Sequence, residues 1–183
     1  MTIILSNRED QDCKLLKTIF NIPGAKVFEI LPESKDWEDI IDDAISEERD
    51  TLIFLGHGTA KGLLFPDFNT GVYILHEYNV DLIKAKKVLC LWCNASYFSA
   101  EHNIHNSVSS SMFISNEREA EDNDIYGCTE GGIKRACEKI YLELIDLIQK
   151  EIPIEQWVMS IGVRVDEENE VDVFNRRGFY YNE

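Results

Sequence analysis

Short apolar runs alternate with amphipathic stretches along the first half of the chain. Four runs have the length and composition of buried β-strands: Thr2–Ser6, residues 26–31, Thr51–Leu55 and residues 87–92. Residues 10–20 and 36–47 lie between these runs and carry apolar side chains at helical spacing. Continuous apolar strands that alternate with helices are typical of a parallel sheet covered by helices on both faces. The pattern therefore predicts an α/β fold.

The rest of the chain gives weaker signals. Further predicted elements are a hairpin formed by residues 62–65 and 71–75, a helix at residues 79–85, a fifth strand at residues 111–115, a long helix at residues 128–149 and a final strand or helix at residues 157–165. The acidic stretch at residues 117–124 is interpreted as a loop. No internal repeat or Pro/Gly/Ser-rich linker divides the sequence, so we expect a single domain over residues 1–183.

The composition is that of an ordinary globular domain. With 183 residues, of which 44% are hydrophobic, the chain is long enough to bury one core without disulfides. No apolar run approaches the roughly 18 residues of a membrane span. The N-terminal residues are typical of a strand and not of a signal peptide. We therefore expect a cytoplasmic protein that does not associate with membranes.

The chain is strongly acidic, with 34 Asp and Glu residues against 18 Lys and Arg and a formal net charge of −16. Such a charge repels a phosphate backbone, so we expect no nucleic-acid partner. Two interpretations of the acidity remain open: dispersed carboxylates that keep the domain soluble, or attraction to a basic partner.

The cysteines are interpreted as free thiols. There are five, an odd number in a chain that is too large to need disulfides: Cys13, Cys90, Cys93, Cys128 and Cys137. Cys90 and Cys93 have CxxC spacing, but the pair lies at the end of an apolar strand. Positions three apart on a strand point to opposite faces. We therefore expect one of these two thiols in the core and the other exposed, with no shared metal or disulfide. The remaining three are interpreted as core or incidental thiols.

Two reactive side chains directly follow predicted strands. His57 follows the third strand and lies between Gly56 and Gly58, while Cys93 follows the fourth strand. Ligands of parallel sheets bind beyond the carboxyl ends of the strands. If the two strands are neighbours, both side chains project over one edge of the sheet, within about 3 Å of each other.

A thiol beside an imidazole is the arrangement of a cysteine peptidase. The thiolate attacks a peptide carbonyl, and the imidazolium protonates the leaving amine. His57 and Cys93 are therefore the predicted catalytic dyad. The backbone N–H groups of Gly58 and Cys93 are the predicted oxyanion hole. No cofactor or metal is expected, and the expected partner is a protein or peptide substrate.

Two segments carry a resemblance to a known family: TLIFLGHG at residues 51–58 and VLCLWCNAS at residues 88–96. In order and spacing they resemble the caspase-like cysteine peptidases, which include caspases, metacaspases, gingipains, clostripain, separase and bacterial CHAT domains. The chain looks most similar to the gingipain and CHAT group. The resemblance covers residues 51–115 well and the remainder only through strand order.

The resemblance implies a fold, an activity and two roles. It implies a caspase-like three-layer αβα sandwich with a mostly parallel sheet of about six strands. It also implies a thiol protease of bacterial type, with His57 as general base and acid and Cys93 as nucleophile. We expect no recruitment domain, so activation by a separate protein partner or by loop ordering remains open.

The chain also departs from the caspase pattern. The caspase signature Gln-Ala-Cys-x-Gly is absent, and Leu91 stands two residues before Cys93, where caspases have Gln and metacaspases Asp. Leu91, Trp92 and Asn94 are predicted to line the substrate pocket.

Acidic residues are the other candidates for substrate recognition. Asp122 and Asp124, from the acidic stretch, can line a pocket for Lys or Arg, while a solvated loop is the alternative interpretation. A zinc site formed by His102, His105 and Cys93 lacks a fourth ligand with suitable spacing.

Two other functional classes remain open. One is a catalytically inactive caspase-like module that binds a protein partner at the same sheet edge. The other is a flavodoxin-like domain that binds a small ligand there, in which the His and Cys are coincidental.

Overall fold

The computed structural model describes residues 1–166 and 168–183. Its strands in chain order are β1 (Thr2–Ser6), β2 (Lys26–Ile30), β3 (Thr51–Leu55), β4 (Gly58–Thr59), β5 (Gly62–Leu64), β6 (Tyr73–Leu75), β7 (Lys87–Leu91), β8 (Ser107–Ser110) and β9 (Phe179–Asn182). Its α-helices are α1 (Gln11–Ile19), α2 (Trp37–Glu47), α3 (Ala95–Glu101), α4 (Glu117–Asp122), α5 (Glu130–Gln149), α6 (Trp157–Val163) and α7 (Glu170–Arg177).

The main sheet has six strands in the order β2-β1-β3-β7-β8-β9. The first five are parallel to one another, and β9 pairs antiparallel with β8. This confirms the predicted α/β class with a mostly parallel, six-stranded sheet. β3 and β7 are direct neighbours, and Leu55 at the end of β3 is in register with Leu91 at the end of β7.

Apolar side chains fill both faces of the sheet, as expected for a three-layer αβα sandwich. On one face, alternate strand residues such as Ile3 and Ile53 pack with α1 and α5. On the other face, Ile4 and Phe54 pack with α2, α3 and the hairpin strands. Because successive side chains of a strand point to opposite faces, these runs are apolar throughout.

The predicted hairpin is confirmed and is part of a small second sheet. β4, β5 and β6 pair antiparallel in that order, directly after the end of β3. Gly62 has φ +136°, and a Cβ there would lie 1.9 Å from the Leu75 carbonyl oxygen, so only glycine fits the close approach of β5 to β6. Within the described residues, no helix has the length and apolar character needed to cross a bilayer.

The predicted fifth strand was wrong in position. The strand is Ser107–Ser110, and the predicted segment 111–115 follows it. Ser109 and Ser110 are buried, and the Ser110 hydroxyl donates to the Trp92 carbonyl oxygen at 2.8 Å. The Ser107 hydroxyl is also hydrogen-bonded, to the Ile104 carbonyl oxygen, so this strand carries little of the apolar signal that identified the others.

The acidic stretch at residues 117–124 was wrongly predicted to be a loop, because Glu117–Asp122 is helical. The Asn116 side chain accepts from the Glu119 amide at 3.0 Å, and the Glu119 carboxylate accepts from the Ser115 amide at 2.8 Å. These two bonds satisfy donors at the helix start, and they stabilise a helix that charge alone does not predict.

Other boundaries differ to a smaller extent. The helix predicted at residues 79–85 is a single 3₁₀ turn at Val80–Leu82. The segment predicted at residues 157–165 as either strand or helix is the helix Trp157–Val163. The helix α7 and the strand β9 have no counterpart in the sequence-based prediction.

Candidate functional site

His57 and Cys93 line one cavity at the carboxyl edge of the sheet. Each lies two residues beyond the paired positions Leu55 and Leu91, so the parallel register of β3 and β7 carries both to the same level. The cavity has a volume of about 30 Å³. Its walls include the two sequence-predicted pocket residues Leu91 and Trp92.

The two glycines that flank His57 are required by close packing. Gly56 has φ +141°, and a Cβ there would lie 2.8 Å from the Ser6 carbonyl oxygen. A Cβ on Gly58 would lie 2.0 Å from Cδ1 of Trp92. Gly56 therefore permits the sharp turn after β3, and the bare backbone of Gly58 allows the indole of Trp92 to pack beside the site.

The His57 imidazole is held by Asp10. Nε2 of His57 lies 2.7 Å from Oδ2 of Asp10. Asp10 is the N-cap of α1, and its other carboxylate oxygen, Oδ1, accepts from the Cys13 amide at 2.9 Å. One carboxylate thus starts the helix and orients the imidazole.

The pairing changes the protonation of both groups. Burial alone would lower the pKa of His57, but its hydrogen bond with Asp10 and the neighbouring Cys13 sulfur outweigh that effect and raise the pKa to about 10. Burial also opposes ionisation of Asp10, yet the bonds from His57 and the Cys13 amide hold the pKa of Asp10 well below its ordinary value. Near neutral pH the pair is therefore an imidazolium beside a carboxylate.

Cys93 is partly buried and keeps its proton. Burial, with the negative charges of Glu119 and Asp12 nearby, raises the pKa of the Cys93 thiol to about 11. The thiol donates to the Phe113 carbonyl oxygen, with Sγ 3.6 Å from that oxygen. Among the described residues, Cys93 and His57 share no hydrogen bond, in contrast to the direct contact expected from the sequence. The charged carboxylate of Asp10 is the stronger partner for the imidazolium.

The predicted difference in burial between Cys90 and Cys93 is confirmed. Cys90 is fully buried on the face covered by α2 and α3, whereas Cys93 is partly exposed and packs toward α1 and α5. Both are free thiols. The two sulfurs therefore lie on different sides of the sheet, and Cys93 is the one that lines the cavity.

The remaining predicted pocket residues lie at different distances from the cavity. The Trp92 indole N–H donates to the Thr59 carbonyl oxygen at 3.1 Å, which fixes one cavity wall. Asn94 is not among the lining residues; it has φ +66° and begins α3. Asp122 and Asp124 are exposed and do not line the cavity.

A different acidic group stands at the cavity. Asp12 lines it, together with Ser115, whose hydroxyl lies 2.7 Å from Oδ2 of Asp12 and 2.9 Å from Oε2 of Glu119. Burial raises the pKa of Asp12, and the nearby carboxylates of Asp10 and Glu119 add to that shift. A hydroxyl has one proton to donate, so it serves one of these two carboxylates at a time.

Comparisons with protein-family models, with curated proteins and with solved structures find no match for this chain. The assignment of the site therefore depends on the contacts described above.

Asp10 and Cys13 are site residues that sequence reasoning missed. The signal was available in principle, because Asp10 follows β1, and β1 is the neighbour of β3 in the sheet. The loop after β1 therefore meets the loop that carries His57. The sequence does not give the order of the strands. It is this order that places Asp10, the N-cap of α1, beside the His57 imidazole.

The Asp10–His57 pair predicts how stability changes with pH. Asp10→Asn keeps a capping side chain but removes the charge, so it should lower the free energy of unfolding by about 1–2 kcal/mol. The contribution of His57 is complete below its ordinary pKa of 6.5 and is lost as pH rises toward 10. The contribution of Asp10 is complete above its ordinary pKa of 3.8 and is lost at lower pH. Urea unfolding should therefore show the largest difference in the free energy of unfolding between the unsubstituted protein and Asp10→Asn from about pH 3.8 to pH 6.5.

The matched control is Asp81→Asn, which removes an exposed carboxylate. We expect it to change the free energy of unfolding by less than about 0.5 kcal/mol. An Asp10→Asn deficit of equal size at pH 5.5 and pH 10 would contradict the assigned ion pair.

Proposed function

We propose that this chain is a cysteine endopeptidase that cleaves protein substrates through an acyl-enzyme on Cys93, with His57 as the acid–base group. The observation that carries the proposal is the shared cavity of the thiol and the imidazole at the carboxyl ends of two adjacent parallel strands. A nucleophile, a nearby base and a third group that orients the base are the parts that acyl transfer needs. Asp10 supplies the third part by holding Nε2 of His57.

The chemical steps balance with these groups alone. The neutral imidazole of His57 takes the thiol proton of Cys93 as the sulfur bonds to the substrate carbonyl carbon. The resulting imidazolium gives that proton to the amine, and the C–N bond breaks to leave a thioester. His57 then takes a proton from water, whose oxygen attacks the thioester, and returns the proton to the sulfur as the acid leaves.

The predicted oxyanion hole fits the same arrangement. Gly58 directly follows His57, and its backbone packs against the side chain of Trp92, the residue before Cys93. The N–H groups of Gly58 and Cys93 are thus carried by the two segments that present the dyad. Their role in binding the carbonyl oxygen of the tetrahedral intermediate is part of the proposal.

The contacts of Cys93 are those of a resting form. Its thiol is protonated and directed to the Phe113 carbonyl, and His57 carries a proton of its own. Attack requires the sulfur to leave Phe113 and His57 to be neutral. Substrate binding or an activating protein partner that displaces the Phe113 contact would supply the first of these changes.

Acidic groups at the cavity favour a cationic substrate. Asp12 and Glu119 converge on the Ser115 hydroxyl beside the cavity, and a Lys or Arg side chain would be attracted to these carboxylates. The net charge of −16 acts in the same direction by attracting basic segments. We therefore propose a preference for Lys or Arg on the acyl side of the cut.

Covalent labelling tests the proposal. We expect a peptidyl acyloxymethyl ketone that ends in Lys or Arg to form a thioether at Cys93, with loss of the acyloxy group as a carboxylate. The reaction is run at pH 9, where more of His57 is neutral, and the modified residue is identified by peptide mass spectrometry. His57→Ala should remove the labelling.

Cys128→Ala is the matched control, because Cys128 is another partly buried thiol, away from the cavity. Its labelling yield should equal that of the unsubstituted protein. Absence of labelling at Cys93 across peptides ending in Lys, Arg, Asp and Leu would overturn the peptidase proposal.

One observation favours a second candidate. The cavity of about 30 Å³ and the protonated thiol also suit a module that keeps the fold but binds a protein partner without cutting it. For that module, Cys93→Ala would leave partner binding and any cellular effect unchanged. The labelling experiment separates the two candidates.

A further inference from the structure

Asp10, Cys13 and His57 form a compact cluster of metal-ligand side chains. One carboxylate oxygen, the sulfur and one ring nitrogen all lie within 4.8 Å of one another. Within residues 1–166 and 168–183, this is the one group of three or more such side chains with that spacing. The peptidase chemistry uses His57 and Asp10 but gives Cys13 no part.

We propose that this cluster is a binding site for a divalent transition metal of the zinc class. A thiolate, an imidazole and a carboxylate are the three donor types that Zn²⁺ prefers, whereas Mg²⁺ and Ca²⁺ require oxygen ligands. Three protein ligands leave the fourth tetrahedral position for water.

The local fold arranges the three donors. Asp10 and Cys13 stand three residues apart at the start of α1, on one side of its first turn. Oδ1 of Asp10 is occupied by the Cys13 amide, which directs Oδ2 toward His57. Nε2 of His57 completes the set from the loop after β3.

The distances are close to those that a metal needs. Ligand atoms around tetrahedral zinc lie roughly 3.3 to 3.8 Å apart. The 2.7 Å between Asp10 and His57 must therefore lengthen by less than about 1.2 Å, and separations near the 4.8 Å limit must shorten by a similar amount. Rotation of the two partly exposed side chains provides both changes.

The site has an exchangeable proton and an entry path. The Cys13 thiol donates to the Ser6 carbonyl oxygen, with Sγ 3.4 Å from that oxygen, and the metal would replace this proton. Nε2 of His57 also gives up its proton, and both protons pass to solvent. The His57 and Asp10 side chains are 23% and 33% exposed, so an ion reaches the buried sulfur along them.

Metal binding would inhibit the proposed peptidase. This consequence, unlike the binding itself, depends on the proposed function. A metal on Nε2 of His57 removes the imidazole from proton transfer and breaks its contact with Asp10. His57 therefore cannot bind the metal ion and act as the acid–base group at the same time.

Spectroscopy with Co²⁺ tests the site directly. We expect one equivalent of Co²⁺ to produce the near-ultraviolet charge-transfer band of a thiolate–cobalt bond, and Zn²⁺ to remove the band by displacement. Cys13→Ser should abolish the band. Cys137→Ser is the matched control, because Cys137 is a buried helical thiol whose Sγ also lies 3.4 Å from a carbonyl oxygen, and it should retain the band.

A Cys93→Ala variant separates this inference from the proposed function. It should bind Co²⁺ with the full charge-transfer band while showing no peptide hydrolysis. A band that survives Cys13→Ser, or that Cys93→Ala removes, would overturn the assignment to Cys13. No thiolate–cobalt band in the unsubstituted protein would overturn the metal site and leave the peptidase proposal intact.

Discussion

Replacing Cys93 with alanine is expected to lower kcat/KM for peptide hydrolysis by at least about 10³-fold, because the acyl-enzyme cannot form without the sulfur. His57→Ala should cause a loss of similar size, since the imidazole is the proposed base for the thiol proton. The double variant should be no slower than either single variant, because the two side chains act in one step. Initial rates with a fluorogenic peptide that carries Lys or Arg before the cut provide the measurement.

His105→Ala and Cys128→Ala are the matched controls for these two substitutions. His105 is exposed and its ring nitrogen contacts the Glu183 carbonyl oxygen, and Cys128 is a partly buried thiol away from the cavity. Both controls should retain kcat/KM within about twofold, because surface changes away from a site have small effects. Hydrolysis that persists undiminished in Cys93→Ala would exclude this thiol as the nucleophile.

The shared position of His57 and Cys93 was predictable because it depends on a simple feature of parallel sheets. His57 and Cys93 each follow a continuously apolar run, and the ends of parallel strands meet at one edge. The structure places both on one cavity. The pairing of His57 with Asp10 instead of Cys93 was not predictable. It depends on the loop after β1, and the sequence does not give the place of β1 in the sheet.

The acidic residues of the cavity were harder to predict than its thiol and imidazole. Asp122 and Asp124 were chosen because they lie in an acidic stretch, yet both are exposed, at the end of α4 and just beyond it. Asp12 faces the cavity, although it lies in the first turn of α1 far from Cys93 in the sequence. Charge density along the chain identifies exposed surface better than it identifies a pocket, since a pocket joins residues that are distant in sequence.

The fold shows the same division. Apolar strands such as Thr51–Leu55 and the long helix Glu130–Gln149 were predicted because burial on the sheet or on one helix face imposes a periodic pattern. Ser107–Ser110 was missed because its buried Ser107 and Ser110 side chains donate to backbone carbonyls of Ile104 and Trp92, and such buried polar residues give no apolar pattern. The charged helix α7 was missed for a related reason, because its burial rests on a polar network.

That network predicts the second large effect, which concerns stability. The Arg176 side chain on α7 is 1% exposed. Its Nε donates to Asp172 at 2.7 Å, and its Nη1 and Nη2 donate to Glu143 at 2.5 and 3.1 Å. Nη1 also donates to the Ile161 carbonyl oxygen at 2.8 Å. It therefore joins α7 to α5 and α6. Arg176→Ala would leave the buried Asp172 carboxylate and the partly buried Glu143 carboxylate without their cation, and we expect it to lower the free energy of unfolding by about 3–5 kcal/mol. Urea unfolding at neutral pH measures the change.

Two comparisons decide whether the loss comes from unpaired charge. Arg177→Ala, at the neighbouring exposed position, should change the free energy of unfolding by less than about 0.5 kcal/mol. The triple variant Arg176→Met, Asp172→Leu, Glu143→Met removes all three charges. It should be much less destabilised than Arg176→Ala, because no charge is left buried without a partner. If the triple variant is as unstable as Arg176→Ala, the loss arises from packing, and the buried carboxylates are not its cause. If Arg176→Ala is as stable as Arg177→Ala, the network does not hold α7 against α5.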